Sequence, residues 1–168
     1  MLTTTRSPRT LPFLRAALIF LLASPVFAQA LNPAVTADPP ADPAHPARME
    51  PVRIPSHGSL MNGVLYLASG AGPHPAVLLL HGLPGNEQNL DLAQALRRAG
   101  YSVLTFHYRG SWGSGGAFSL AHAGEDGQAA LAFLTAPAQL NRYGLDPKRV
   151  IVVGHSMGGF VAAQVAAA

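Results

Sequence analysis

Cysteine is missing altogether from the 168 residues, and charged side chains are scarce, at 11% of the chain. Without cysteine, neither a disulfide framework nor a thiolate metal site can form within these residues. Hydrophobic residues make up 49%, so the low charge accompanies ample material for a packed core and is not a mark of disorder. The length suits one domain at most.

A distributed basic surface is also missing, although the isoelectric point is about 9.8. Three of the eleven Lys and Arg residues, Arg6, Arg9 and Arg15, lie in the first fifteen positions, where no acidic residue occurs. The other eight are balanced by eight acidic residues. No basic stripe with interleaved aromatic residues is present, so we expect no nucleic-acid partner.

No apolar run reaches the roughly 20 residues that a transmembrane helix needs. The basic N-terminal segment leads into a short apolar run, residues 16–23, which Ser24-Pro25 breaks. Small residues then stand at the spacing that a signal peptidase recognises, at 26–28 or 28–30. We therefore predict a signal peptide over 1–28, cleaved after residue 28 or 30. The protein is expected to be exported, periplasmic or secreted, with no membrane span after cleavage.

Proline and alanine dominate residues 31–50. Proline lacks the backbone donor and restricts the residue before it, so we expect neither helix nor sheet there. The composition predicts a semi-rigid extended linker over 31–50, followed by a folded domain over 51–168.

Strand and helix patterns alternate along that domain. Residues 52–54 and 60–67 predict an antiparallel hairpin at a sheet edge. Three apolar runs without alternation are typical of strands buried on both faces, and helical patterns stand between and after them. The fold class predicted is α/β, with a mostly parallel sheet and helices on both faces. The runs are 76–80, 103–106 and 150–153, and the helical patterns are 92–99, 126–134 and 157–167.

The strongest functional signal is Gly-His-Ser-Met-Gly-Gly at 154–159. A G-x-S-x-G motif between a buried strand and a helix raises the serine hydroxyl above the sheet, and Gly154 and Gly158 are needed where strand and helix approach. The helix N-terminus also directs free N–H groups at the reacting centre. We predict Ser156 as a nucleophile, with His155 and Gly159 supporting the turn.

A second signal follows the first parallel strand, in His-Gly-Leu-Pro-Gly at 81–85. An acyl-transfer enzyme needs two backbone N–H groups for the developing oxyanion, one just after the nucleophile and one in this loop. Met157 and Leu83 are the predicted donors, with His81 and Gly82 supporting the loop. Alone, such a glycine-rich loop would be ordinary.

Together these segments resemble the α/β-hydrolase superfamily over about residues 52–168, and within it the prolyl-oligopeptidase-like and dienelactone-hydrolase-like peptidases and esterases. The resemblance implies a serine hydrolase acting on an ester or peptide substrate, with no metal and no organic cofactor. The segments that carry it are His81-Gly82-Leu83-Pro84-Gly85, Tyr108-Arg109-Gly110-Ser111-Trp112-Gly113, Asp146-Pro147-Lys148-Arg149-Val150 and Gly154-His155-Ser156-Met157-Gly158-Gly159.

The resemblance also implies a triad in the chain order Ser, Asp or Glu, His. Residues 157–168 contain none of these acids and no histidine. For the upstream His81, His107 and His155, the resemblance implies packing and orienting roles and not the role of the base. We therefore expect the triad acid and base to be absent from these residues, the sequence to be the N-terminal half of the domain, and the chain as given to be inactive.

Other hypotheses stay open. The chain could be a non-catalytic binding protein on the same fold, or could transfer an acyl group to an alcohol. Arg109 and Asp126 are expected to form a structural ion pair that holds the loop 108–118, with substrate contact by Arg109 as the alternative. Trp112 and Phe118 either line a substrate pocket or pack the loop. The seven histidines show no metal-ligand spacing, so no metal site is predicted.

Overall fold

The computed structural model describes residues 31–167, so the predicted signal peptide, 1–28 with cleavage after 28 or 30, lies outside the described residues. Within 31–167 the chain forms five strands and five helices. The strands are β1 (Arg48–Ser56), β2 (Ser59–Leu67), β3 (His74–Leu80), β4 (Ser102–Phe106) and β5 (Leu145–Gly154); the helices are α1 (Pro33–Thr36), α2 (Leu90–Arg98), α3 (Leu120–Thr135), α4 (Pro137–Tyr143) and α5 (Met157–Ala166).

The strands form one mixed sheet in the order β1-β2-β4-β3-β5. β2 runs antiparallel to both of its neighbours, whereas β3 pairs in parallel with β4 and with β5. Four of the five strands therefore point the same way, and the α/β fold with a mostly parallel sheet is confirmed. The edge hairpin is confirmed too, as β1 and β2.

Helices cover both faces of this sheet, as predicted. Leu78 and Leu80 of β3 face the core that contains Leu134 of α3 and Val161 of α5. Val77 and Leu79 face the opposite way, into a smaller core with Ala93 of α2. Burial on both sides explains why the strand sequences show no polar alternation. None of the described helices has the length and hydropathy to cross a bilayer.

The segment 31–50 is not the linker without helix or strand that its composition predicts. Pro33–Thr36 forms a short helix, and the Asn32 side chain accepts a hydrogen bond from the Ala34 amide at 3.0 Å. Proline suits a first helical turn because its missing N–H would have no partner there. Asp38 then bonds Arg97 and Arg98 of α2, and β1 already begins at Arg48. The segment therefore packs against the domain.

Two helices also differ from prediction. α3 starts six residues earlier than the expected Asp126, because Ser119 accepts a hydrogen bond from the His122 amide at 3.0 Å and caps it. Glycines in the first half of α3 hide the helical pattern in the sequence. Gly127 has a packing role there, because a Cβ at this position would stand 2.6 Å from the Val161 side chain of α5. α4 was not predicted at all; it ends at Gly144, which has φ 62°.

Candidate active site

Ser156 stands at the turn between β5 and α5, with its side chain exposed to solvent. Its backbone has φ 55° and ψ −122°, a conformation that residues other than glycine rarely adopt. The His155 amide donates to the Leu80 carbonyl at 3.1 Å, and the Gly159 amide donates to the Ser156 carbonyl at 2.9 Å. The sheet on one side and the helix on the other thus fix the turn.

Two of the three glycines at this turn have no room for a side chain. A Cβ on Gly154 would overlap the Gly158 carbonyl, and a Cβ on Gly158 would overlap the Leu80 carbonyl. At Gly159 the nearest atom to such a Cβ would be 3.5 Å away, an ordinary contact. Glycine is therefore sterically required at 154 and 158, and position 159 has room for a methyl group.

The loop after β3 lies directly against the serine. A Cβ built on Gly82 would stand 2.9 Å from Ser156 Cβ and 3.3 Å from its Oγ. Leu83, the next residue, is exposed, and Met157 is the first residue of α5, where helical amides have no intrahelical partner. The structure therefore brings the two motifs together at the carboxyl ends of β3 and β5. The oxyanion roles of the Leu83 and Met157 amides stay predictions.

His81 is buried beneath this loop. Its Nδ1 donates to the Gly82 carbonyl at 2.7 Å, while the Tyr108 hydroxyl donates to the His81 carbonyl at 3.2 Å. Burial lowers the pKa of His81, an effect that the Gly82 carbonyl opposes in part. Its Nε2 has no hydrogen-bond partner among residues 31–167. A neutral His81 ring with its hydrogen on Nδ1 fits these surroundings, and its bond to the Gly82 carbonyl holds the loop in place.

His107 follows β4 and lies beside His81, with 5.4 Å between the ring centroids. Gln88 Nε2 lies 2.5 Å from His107 Nε2, so the amide hydrogen donates to the ring nitrogen. Burial and the neighbouring His81 both lower the pKa of His107. Within residues 31–167 no histidine is hydrogen-bonded to the Ser156 hydroxyl. The His81 and His107 rings therefore pack against each other, and neither ring is hydrogen-bonded to the Ser156 hydroxyl.

The expected ion pair between Arg109 and Asp126 is present and buried, with Nε 2.6 Å from Oδ1. Sequence reasoning missed two members of this network, Glu125, which also bonds Arg109, and Ser56, whose Oγ donates to Asp126 at 2.6 Å. Ser56 is 70 positions away in β1, and no local pattern marks it. Because Nε and Nη2 of Arg109 are bonded within this network and the residue is buried, a structural role for it is favoured over substrate contact.

The two aromatic residues of the loop 108–118 behave differently. Phe118 is half-buried and packs against the main core, so it does not point freely into solvent. Trp112 remains 58% exposed, and its Nε1 donates to the Pro84 carbonyl at 2.9 Å. This bond between the two loops was not predicted, since nothing in the sequence relates positions 84 and 112.

Comparison with known proteins agrees with this architecture. An uncharacterized protein of Mycobacterium tuberculosis strain H37Rv, Rv2307c, is 33% identical over 129 residues, which cover 76% of this chain and 44% of that protein. EstE1, a thermophilic carboxylesterase cloned from a metagenomic library, is 28% identical with a TM-score of 0.56, over 77% of this chain and 42% of its own. The hyperthermophilic esterase from Pyrobaculum calidifontis is 25% identical with a TM-score of 0.59, over 71% and 39%.

The chain spans less than half the length of these relatives. A family model described as the alpha/beta hydrolase fold matches residues 75–168, which include both loops of the candidate site. The chain belongs to the alpha/beta hydrolase family.

Proposed function

We propose that this chain is the part of a serine hydrolase that carries the nucleophile, Ser156, for cleavage of ester or amide bonds. The observation that carries the proposal is the backbone of Ser156, at φ 55° and ψ −122° on a turn open to solvent. Such a conformation costs of the order of 1–3 kcal/mol in a residue other than glycine. Strain retained where it exposes a hydroxyl supports a chemical role for that hydroxyl.

The reaction would run through an acyl-enzyme. Ser156 Oγ attacks the carbonyl carbon while its proton passes to a histidine, and the amides of Leu83 and Met157 donate to the oxyanion. The tetrahedral intermediate collapses, and the histidine returns the proton to the departing alcohol or amine. Water then attacks the acyl-serine by the same route, releasing the acid and free Ser156.

The histidine and the acid of the triad are proposed to come from protein outside these 168 residues. The described histidines are not hydrogen-bonded to the Ser156 hydroxyl, and residues 157–168 offer no acid or histidine. The longer chains of the relatives leave room for both groups. The 168 residues alone would then be inactive.

The substrate class and the location are also proposals. An ester of a small molecule is favoured over a peptide, since the similar solved structures include a carboxylesterase and an esterase. Export to the periplasm or the medium is supported by the basic and apolar pattern of residues 1–28. No nucleic acid, metal or organic cofactor takes part in the proposed reaction.

The direct test is hydrolysis of p-nitrophenyl butyrate by protein produced from its complete reading frame. Ser156→Ala should lower kcat/KM by about 10⁴-fold or more, the scale on which triad nucleophiles act. Ser111→Ala, on the neighbouring loop, is the matched control and should stay close to wild type. Equal turnover by Ser156→Ala would refute the proposal, and a folded wild-type protein without turnover would favour a non-catalytic binding role.

Acyl transfer to an alcohol is separated from hydrolysis by product analysis. With methanol present, a hydrolase should yield mainly butyric acid, whereas a transferase should yield mainly the methyl ester. The ratio of the two products in the wild-type protein decides between them.

A further inference from the structure

Trp112 occupies an unusual position on the loop after β4. Its backbone has φ 45°, in the left-handed region, and its indole is 58% exposed. The indole Nε1 nevertheless reaches across to the loop after β3 and donates to the Pro84 carbonyl at 2.9 Å. A large apolar side chain held in this way links the two loops that flank the candidate site.

The backbone beneath the indole is closely enclosed. A Cβ on Gly85 would stand 3.0 Å from Trp112 Nε1 and 2.7 Å from His81 Cε1, and Gly85 has φ 93°. The indole and the His81 ring therefore confine the chain at Gly85 from two sides. Only a residue without a side chain fits between them.

Leu83 lies between two fixed points of this loop. On one side Gly82 is packed against Ser156, and on the other the Pro84 carbonyl is bound by Trp112. The Leu83 side chain itself is 53% exposed and anchors nothing in the core. The Leu83 N–H belongs to the same peptide group as the Gly82 carbonyl, which accepts from His81 Nδ1, and the Trp112 bond to the Pro84 carbonyl holds the chain on the other side of Leu83.

We propose that Trp112 is a positioning residue for the reaction on Ser156. Its indole N–H, acting through the Pro84 carbonyl, keeps the Leu83 amide aimed at the oxyanion. An oxyanion donor must lie about 2.7–3.1 Å from the developing charge, so a loop anchored only at Gly82 would present that donor less often. The inference rests on the proposed function, because it assigns a task to a residue of the same site.

The proposal differs from a role for Trp112 as an apolar wall for the substrate. A wall contributes equally to the ground state and the transition state, so its loss raises KM. A lost oxyanion contact affects only the transition state and lowers kcat. The split between the two parameters therefore distinguishes the roles.

The test uses Trp112→Phe in the protein from its complete reading frame, because phenylalanine keeps an aromatic ring and removes the N–H donor. With p-nitrophenyl butyrate, kcat should fall by about three- to tenfold, the equivalent of one net hydrogen bond, with KM within about twofold of wild type. The second-order rate of fluorophosphonate labelling should fall by a similar factor, since phosphonylation uses the same oxyanion site. Tyr101→Phe is the control, because Tyr101 packs against the smaller core that contains Val77 and Leu79. It should change neither kcat nor the labelling rate.

Unchanged kcat and labelling rate in Trp112→Phe would overturn the proposal. A raised KM with unchanged kcat would overturn it as well, in favour of a substrate wall. Failure of the proposed function is visible separately, as wild-type protein whose activity does not depend on Ser156. A lower unfolding midpoint in Trp112→Phe with unchanged labelling of the folded fraction would mean that the bond serves stability alone, which also contradicts the proposal.

Discussion

Arg109 Nε donates to Asp126 Oδ1 across 2.6 Å, and both side chains are buried. The same carboxylate accepts from the Arg109 amide at 2.9 Å and from the Ser56 hydroxyl at 2.6 Å. One buried group thus joins the loop after β4 to α3 and to the end of β1. Because that loop also carries Trp112, the ion pair fixes a loop that is bonded to the loop beside Ser156.

Asp126→Asn should lower the free energy of unfolding by about 3 kcal/mol or more, because it leaves the buried Arg109 guanidinium without its buried charge partner. The asparagine amide would also present hydrogens to groups that are themselves donors. Urea denaturation measures the change. Glu125→Gln is the matched control on the same arginine; Glu125 is open to solvent, so the unfolding midpoint should hardly move. Equal losses in the two variants would contradict this account of the network.

Adjacent glycines of the serine turn should respond oppositely to one added methyl group. Gly158→Ala should cost about 3 kcal/mol or more, because the new Cβ would overlap the Leu80 carbonyl in backbone that cannot move aside. Gly159→Ala should be neutral or stabilising by up to about 1 kcal/mol, because its Cβ meets nothing closer than 3.5 Å and alanine favours a helix. Denaturation of both variants checks the pair, and a tolerated Gly158→Ala would show that the turn is less crowded than described.

Most of the fold could be predicted because its signals are local. Buried strands appear as short apolar runs, and the motif at 154–159 contains in six residues the strand end, the turn and the start of α5. The structure adds that Gly159 is not required by space, which the pattern could not reveal. The prediction of a linker without helix at 31–50 was wrong because the sequence does not distinguish a proline that begins a helix, such as Pro33, from one that prevents a helix.

The parts of the site that could not be predicted depend on contacts between distant positions. Ser56 meets Asp126 across 70 positions, and Trp112 meets Pro84 across 28. Such pairings depend on how two loops pack, and no spacing rule encodes them. Arg109 and Asp126 were candidates only because Arg109 follows a recognisable strand and Asp126 was expected to open a helix, which in the structure already begins at Leu120.

Because of His81, the free energy of unfolding should fall as pH decreases below about 6.5, the ordinary pKa of histidine. Burial lowers the pKa of His81 in the folded state, so the unfolded chain binds more protons in that range and protonation favours unfolding. Between about pH 7.5 and about pH 5.5 the loss attributable to this residue should reach at most about 1.4 kcal/mol. His81→Asn, which can still donate to the Gly82 carbonyl, should flatten the dependence.

The measurement is urea denaturation of wild type and His81→Asn at several pH values in that range. His107→Asn is the matched comparison; it removes the neighbouring ring, whose pKa is lowered by burial and by His81, and should also flatten the dependence. A His81→Asn variant that keeps the full wild-type slope would show that His81 is not the group responsible.

The most direct test of the central claim, that Ser156 is a nucleophile, is to locate the covalent adduct. Protein from its complete reading frame is treated with a fluorophosphonate, digested, and examined by mass spectrometry. The result expected is one phosphonylated peptide, with the modification on Ser156 and none in Ser156→Ala. An adduct on another serine, or labelling that survives in Ser156→Ala, would contradict the claim.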